Sequence, residues 1–394
     1  MSYNFTVGND TKILLNNGVK KLAKDLSIND ILITYDNKNA KINKIQKTEK
    51  MLYRVKPLTY GNAYTCDEDT DITVMISGCK HIIYDPRRDR YKIRWMTYKG
   101  LKEKCFSKSA YSEEYKKKAE DFFNEISMTD EFLKKGDIIS IPLKEYIVMN
   151  NSSKVMCKKF GISIDFPEID IRLDPYLVGI WLGDGTSRAT QITTIDSEIV
   201  DFITNWALSN KLIVKRSNKY AYNITSGERT GKKGRNHFRN ELIKYNVWGN
   251  KHIPNDYKYN SRKNRLSILA GLLDTDGYLH NNCYEITQKN KKLAYDIIDL
   301  SKSLGFRTTH SICIKRCTNS PNKDHKGEYV RIHISGDHLE EIPCILPRKM
   351  ANIRQTKKNA IVSTVEIECI GEENCIIIGT DNKYSIVLED FTVI

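Results

Sequence analysis

The chain has 394 residues, enough for two or three domains with their own cores, and its 40% hydrophobic and 28% charged residues are typical of a globular protein. Lys and Arg number 63 against 49 Asp and Glu, and this net charge of +14 favours a polyanionic partner, DNA or RNA. No signal peptide and no apolar run of roughly 18 residues is present, so we expect an intracellular protein with no membrane partner, in the nucleus if eukaryotic and otherwise in the cytoplasm.

Residues 1–155 have the pattern of a mostly-β domain. TKILL is followed by the turn signal Asn16-Asn17-Gly18, and DILITYD, TVMIS and KGDIISIPL continue the β pattern. One helix is predicted over 112–135, and the polar stretch 149–160 is interpreted as a linker. The ten cysteines form no CxxC pair, so buried thiols are expected rather than a zinc site.

A basic segment at 86–100 interleaves cations with aromatic residues. Alternation along a strand would place Arg90, Lys92 and Arg94 on one face, a pattern suited to DNA contact. The alternative is a solvated basic hairpin whose aromatic residues pack on the core. A second basic run, 227–240, is predicted to bind the DNA backbone. The predicted DNA-binding residues are Arg87, Arg88, Arg90, Lys92, Arg94, Lys232, Lys233 and Arg235.

The region from 156 to 354 has an α/β pattern and contains one nonapeptide pattern twice. LVGIWLGDG occupies 177–185 and LAGLLDTDG occupies 269–277, each at the end of a predicted helix. Small residues along each helix allow a close approach, so we expect the two helices to pack together and their last carboxylates, Asp184 and Asp276, to converge. Converging carboxylates need neutralising cations, and oxygen ligands suit Mg²⁺, with Mn²⁺ able to substitute.

The tail, 355–394, returns to the β pattern of the first region. The shared pattern of the two ends predicts a β domain that is split in two by an inserted domain.

The paired nonapeptides resemble the signature of LAGLIDADG homing endonucleases of the intein type. The resemblance implies two pseudo-symmetric αββαββα halves whose sheets bind the DNA major groove, and a metal site at Asp184 and Asp276 with the preceding Gly183 and Thr275. NKHIP resembles the family stretch that carries a catalytic lysine, here Lys251. IPCILPRKMANI resembles the segment that carries the second, here Lys349 with Arg348 as the alternative.

The flanking β regions resemble intein splicing (Hint) domains. TKILLNNGVKKLAKDLSINDILITYD resembles the first block, VMISGCKH the next and YSIVLEDFTVI the last. The resemblance places the splicing nucleophile at Thr6 and the block histidine at His81. Splicing needs Cys or Ser at the first site and a His-Asn end, so we expect a degenerate splicing site.

The fold class predicted is therefore α+β, a mostly-β Hint-like domain (1–155 and 355–394, with a DNA-contacting arm near 85–135) split by an endonuclease domain (156–354). We expect a monomer that cleaves both strands of DNA at a long asymmetric site. Two alternatives stay open: a splicing-competent intein whose last residues lie beyond Ile394, and a non-cleaving nucleic-acid-binding protein, either a maturase or a regulator.

Overall fold

The computed structural model describes residues 3–78, 80–227, 236–316, 326–355, 359–381 and 385–394. It divides into two compact units, one formed by Met1–Ile162 with Val362–Ile394 and the other by Ser163–Ile361. The first unit is therefore discontinuous in sequence. Its boundaries lie seven residues beyond each of the boundaries expected from the sequence, 155 and 354.

The regular elements follow in chain order. The elements before residue 163 are β1 Tyr3–Gly8, β2 Lys12–Leu14, β3 Lys20–Leu22, β4 Ile31–Ile33, β5 Asn39–Pro57, β6 Tyr64–Cys66, β7 Asp71–Ile76, β8 Ile82–Asp85, β9 Arg90–Thr97, β10 Gly100–Ser107, α1 Lys108–Tyr111, α2 Tyr115–Ile126, β11 Ile138–Pro142, α3 Leu143–Val148, α4 Asn151–Met156 and β12 Cys157–Phe160. The elements of the second unit are α5 Pro175–Asp184, β13 Gln191–Thr193, α6 Ser197–Ser209, β14 Ile213–Arg216, β15 Ala221–Thr225, α7 His237–Lys244, α8 Asn255–Lys258, α9 Arg262–Asp276, β16 Gly277–His280, β17 Cys283–Gln288, α10 Lys291–Ser303, β18 Arg307–Arg316 and β19 Lys326–Ser335. The chain returns to the first unit with β20 Val362–Ser363 and β21 Val365–Thr380.

The first unit is built on β sheets that combine both of its sequence segments. A five-stranded sheet has the order β21-β1-β6-β5-β4, and a four-stranded sheet has the order β11-β7-β12-β20. The long strands β5 and β21 pair antiparallel along most of their lengths. Residues from both segments, such as Val7, Val55 and Ile376, share one buried core. The predicted turn after TKILL is present, with Gly18 at φ +83°, and the strands on either side form the β2–β3 hairpin.

A small substructure within this unit carries the basic segment. Strands β8, β9 and β10 form a three-stranded sheet, and helix α2 packs on one of its faces through Ile93, Phe106 and Ala119. Helix α2 is shorter than the predicted helix over 112–135 because Thr129 and Phe132 form turns instead. This substructure presents its other face away from α2.

The interpretation of 149–160 as a linker is wrong. Asn150 caps helix α4 by accepting a hydrogen bond from the Ser153 backbone N–H at 2.8 Å. The following strand β12 pairs with both β7 and β20, and it buries Lys159 and Phe160. The polar composition of the segment hid this role because the polar groups serve as a helix cap and as a buried cation lying 4.0 Å from the centre of the Tyr64 ring.

The second unit contains two related halves around one core. The second half has the order α9, β16, β17, α10, β18, β19, with the sheet order β16-β17-β19-β18. It matches the expected αββαββα pattern except for the last helix, because among the described residues only short 3-10 helices stand between β19 and β20. Among its described residues, the first half has the order α5, β13, α6, β14, β15, α7, one strand fewer than the αββαββα pattern. A single bridge between Gly185 and Ile192 stands where the first hairpin was expected, because the turn from 186 to 190 folds back at once.

Among the described residues, no helix combines the length and the apolar character that crossing a membrane requires. Helix α5 is apolar on all sides because it lies inside the second unit, where every residue from Tyr176 to Leu182 is buried.

Candidate active site at two helix ends

The two nonapeptide helices, α5 and α9, pack against each other backbone to backbone. A Cβ atom placed on Gly271 would lie 2.7 Å from the Ile180 backbone nitrogen and 2.9 Å from the Gly179 Cα. A Cβ on Gly179 would lie 3.0 Å from the Gly271 Cα and would collide with the Ile268 carbonyl oxygen. Only glycine fits at these two positions, and the prediction that the two helices touch is confirmed.

Both helices end in the same way, at a carboxylate followed by glycine. Helix α5 ends at Asp184 and α9 ends at Asp276, and the next residues, Gly185 and Gly277, have extended backbones with φ of −76° and −77°. Because the helices pack in register through their glycines, their carboxyl ends and their last carboxylates lie at the same end of the pair.

The two carboxylates lie in an environment that disfavours their charge. Desolvation raises the pKa of Asp184 to about 6, and the negative charge of Asp276 adds to this increase. Desolvation also raises the pKa of Asp276, although this side chain keeps an exposed surface and accepts a hydrogen bond from Gln288 Nε2. A cation between the two groups would offset this cost.

Two lysines lie at these helix ends, one for each helix. Lys251 Nζ donates hydrogen bonds to the carbonyl oxygens of Gly183 and Gly185 at 3.1 and 2.6 Å, at the end of α5. Lys349 Nζ donates to the carbonyl oxygens of Leu273 and Gly277, the first at 3.0 Å, at the end of α9. Each ammonium therefore caps the negative end of one helix dipole.

The lysines and the carboxylates interact electrostatically, because both lysines oppose the increase in the pKa of Asp184 and of Asp276. Desolvation lowers the pKa of Lys251 to about 8, while the charges of Asp276 and Asp184 oppose this decrease. Burial and the neighbouring Arg348 lower the pKa of Lys349. The four side chains thus form one interacting group of two acids and two bases, here called the helix-end cluster.

Arg348, the alternative to Lys349, has another partner. Its guanidinium forms a bidentate pair with the Asp196 carboxylate at 2.8 and 2.9 Å. Of the two candidates, Arg348 and Lys349, it is Lys349 that reaches the end of α9.

The oxygen atoms that Gly183 and Thr275 could offer to a metal ion are limited to their backbone carbonyls. The Thr275 hydroxyl donates to the carbonyl oxygens of Gly271 and Leu272 at 2.9 and 3.0 Å, and its side chain packs on the Cα of Gly183. The Gly183 carbonyl oxygen accepts from Lys251. Within the described ranges, no group of three or more His, Cys, Asp or Glu side chains could hold a metal ion. An ion at the cluster would therefore be bound by two carboxylates, backbone oxygens and water, a ligand set that suits Mg²⁺.

The predicted alternation along β9 is confirmed, but the basic face that results is partly neutralised. Lys92 Nζ and Arg94 Nε both face the Glu103 carboxylate, at 3.1 and 3.6 Å. Arg90 Nε lies 3.3 Å from Asp85 Oδ2. Arg87 and Arg88 are exposed in the turn between β8 and β9. The other predicted DNA-binding residues, Lys232, Lys233 and Arg235, lie outside the described residues.

The two residues assigned to a degenerate splicing site, Thr6 and His81, have surroundings that differ from each other. The backbone N–H of Thr6, in β1, donates to Thr70 Oγ1 at 2.9 Å, and Thr70 in turn contacts Asp67. His81 Nδ1 lies 2.9 Å from the Arg94 carbonyl oxygen, and its ring stacks on Phe123.

Sequence reasoning missed two groups around the helix-end cluster. Trp181 lies under the Lys251 ammonium, 5.4 Å from ring centre to Nζ, and Gln288 holds Asp276. Trp181 is the fifth residue of its nonapeptide, and an aromatic residue at that position, one turn before the carboxylate, was an available signal. Gln288 had none, because strand pairing alone brings it to the helix end.

Comparison with known families covers the part of this site that follows residue 251. The sequence model of the homing endonuclease family matches residues 252–354. The matched range includes α9 with Asp276 and also Lys349. The resemblance to homing endonucleases is thereby confirmed, through residues 252–354.

Individual relatives cover smaller parts. A replicative DNA helicase, DnaB of Mycobacterium intracellulare, is 36% identical over 146 residues, which is 37% of this chain and 21% of that protein. The chain thus matches about a fifth of the length of this curated relative. Among solved structures, I-DmoI in complex with DNA and Ca is 17% identical over 41% of this chain and 82% of that chain, with a TM-score of 0.28. I-DmoI in complex with DNA and Mn is 19% identical over 41% of this chain and 88% of that chain, with a TM-score of 0.27.

Proposed function

We propose that the chain is a metal-dependent DNA endonuclease whose active site is the helix-end cluster. The observation that carries the proposal is the pairing of two desolvated carboxylates, Asp184 and Asp276, with two lysines at the joined ends of twin helices. The arrangement is not a pair of structural salt bridges, because both lysines donate their hydrogen bonds to backbone carbonyl oxygens and not to the carboxylates.

Asp184 and Asp276 would hold Mg²⁺, or Mn²⁺ in its place, with backbone oxygens of Gly183 and Thr275 as further candidate ligands. When bound, the ion would activate water and stabilise the leaving oxygen in phosphodiester hydrolysis. The raised pKa of Asp184 supports a cation at this place, because a cation would favour the ionised form.

Lys251 and Lys349 supply positive charge close to where a scissile phosphate would lie. With a pKa lowered to about 8, Lys251 is mostly protonated at neutral pH and can stabilise a phosphate oxygen. As a neutral amine at higher pH it could instead accept a proton from water. The helix-end carbonyls fix both ammonium groups, so this charge is preorganised.

Two carboxylates and two lysines, one pair from each half, support cleavage of both strands by one chain. We propose a monomer with internal pseudo-twofold symmetry that acts on double-stranded DNA at a long asymmetric site. Its halves differ, since one nonapeptide helix is followed by a three-stranded sheet and the other by a four-stranded sheet. The basic face of β9 and the turn with Arg87 and Arg88 would extend the DNA contact.

We further propose that the discontinuous β unit is a Hint-like scaffold whose splicing activity is lost. Support comes from Thr6, which stands at the position of the nucleophile, where splicing needs Cys or Ser. The alternative is a splicing-competent intein, and the partial match to a replicative helicase favours an origin within such a host protein. A gene that continues from Ile394 into His-Asn and helicase sequence, with a spliced product on expression, would favour the alternative.

The experiment for the nuclease is a cleavage assay on a supercoiled plasmid library with Mg²⁺. We expect linear product from the unmodified chain and none after EDTA. A chain that shifts DNA in a gel but neither nicks nor cuts it under any divalent metal would instead be the non-cleaving binding protein.

A further inference from the structure

The segment that carries Lys251 is tied to a buried carboxylate outside the helix-end cluster. The Ile253 backbone N–H donates to Asp296 Oδ2 at 3.0 Å, and Asp296 belongs to helix α10. The other oxygen of this carboxylate accepts from Lys258 Nζ at 2.6 Å. Asp296 is 8% exposed, so these two donors, and not solvent, stabilise its charge.

The segment that carries Lys349 is tied in the same way. The Ile345 backbone N–H donates to Asp274 Oδ2 at 2.8 Å, and the Tyr176 hydroxyl donates to the same oxygen at 2.6 Å. Tyr284 holds the lysine itself, donating its hydroxyl hydrogen to the Lys349 carbonyl oxygen at 2.7 Å. Asp274 is 1% exposed and lies in the second nonapeptide, two residues before the carboxylate of the cluster.

We infer that Asp296 and Asp274 are positioning residues, each of which fixes one of the two lysine segments and thereby serves the cleavage of one DNA strand. The inference deepens the proposed nuclease function and depends on it. The nonapeptide repeat does not supply both anchors, because the first copy has Leu182 where the second has Asp274. Helix α10 provides the missing anchor for the first half.

Hydrogen-bond geometry explains why these carboxylates control position. A buried backbone N–H that loses its acceptor is left unsatisfied, so its segment shifts toward another partner. Each lysine lies within four residues of the anchored N–H: Lys251 comes two residues before Ile253, and Lys349 comes four residues after Ile345. A catalytic group misplaced by about 1 Å can cost about 100-fold in rate.

The test is strand-resolved cleavage. The probe is a duplex that carries the site recovered from the plasmid library, with a different fluorophore on each 5′ end. For Asp274→Ala we expect one strand to be cut about 100-fold more slowly while the other keeps its rate, so that nicked duplex accumulates. For Asp296→Ala we expect the opposite strand to be slowed. A role in stability alone would slow both strands together.

Conservative variants and a matched control complete the design. Asp274→Asn and Asp296→Asn keep an acceptor for the backbone N–H and should restore the unmodified rate on the affected strand. Glu241→Gln changes another buried carboxylate, which bonds to Lys244 and not to either lysine segment, and should leave both strand rates unchanged. If an alanine variant does not fold, the leucine variant, which fills the space without an acceptor, is measured instead.

The outcomes separate the inference from the proposed function. Equal slowing of both strands, or slowing of the same strand by both anchors, overturns the inference while the nuclease assignment stands. An unmodified chain that cuts neither strand of any library plasmid overturns the proposed function itself.

Discussion

The glycine contact between α5 and α9 gives the most direct prediction, through Gly271→Ala. The new Cβ would lie 2.7 Å from the Ile180 backbone nitrogen and 2.9 Å from the Gly179 Cα, and nearer still to the Tyr176 carbonyl oxygen. Ordinary contacts of this kind need about 3.5 Å, so the helices must separate by roughly 0.5 to 1 Å. Overpacking of a core by one methyl group costs about 1 to 3 kcal/mol in the free energy of unfolding.

The same separation would move Asp276 relative to Asp184, because each carboxylate ends one of the two helices. A shift of about 1 Å can lower a cleavage rate by about 100-fold. The measurements are the thermal unfolding midpoint of the full chain and the cleavage rate on plasmid DNA. We expect a midpoint about 2 to 10 °C lower and cleavage reduced by about 100-fold or more.

Ala270→Gly is the matched control. Ala270 is buried next to Gly271 on α9, and glycine there costs about 1 kcal/mol of helix stability without adding an atom between the helices. Its midpoint should fall while its cleavage rate stays close to that of the unmodified chain. A Gly271→Ala protein with unchanged midpoint and unchanged cleavage would refute the proposed coupling between helix separation and the site.

The remaining predictions concern charge. Asp184→Asn or Asp276→Asn should abolish cleavage but leave DNA affinity within about tenfold in a gel-shift assay, because phosphate contacts dominate binding; a large loss of affinity would contradict this. The cleavage rate should rise with pH as Asp184 ionises, its pKa being about 6 without metal, and should change again near pH 8, where Lys251 titrates. In EDTA the folded pKa of Asp184 is above its ordinary value of 3.8, so its contribution to the free energy of unfolding should fall as pH rises from about 4 to about 6, and chemical denaturation across that range measures it. Arg94→Ala should weaken DNA binding and flatten its salt dependence, whereas Glu103→Gln should strengthen binding because it frees the basic face of β9; identical affinities would show that this face does not contact DNA.

The centre of the site could be predicted from the sequence because a repeated motif carries its own geometry. Two glycine-spaced helices that end in Asp-Gly specify both the close approach and the position of Asp184 and Asp276. What lay beyond prediction depends on pairing between distant segments. The hydrogen bonds from Ile253 to Asp296 and from Ile345 to Asp274 join residues more than 40 positions apart, and no local pattern marks them.

Two other differences have local causes. Glu103 neutralises Arg94 because the β9–β10 hairpin register places the two residues opposite each other, and the Tyr98-Lys99-Gly100 turn could have indicated that register. The polar stretch 149–160 was interpreted as a linker because composition alone does not distinguish a capped helix and a strand with a buried lysine from a flexible segment.

The discontinuity of the first unit has a consequence for biosynthesis. Strand β21 is the partner of both β1 and β5, so these two strands keep open edges until residues 365–380 have been translated. During that interval the nascent chain is exposed to aggregation, and long-range pairing slows its folding. Phe160 and Val362 are paired in neighbouring strands, so the two places where the chain leaves and re-enters the first unit lie side by side. A short glycine-serine bridge from 162 to 362 should therefore yield a faster-folding β protein.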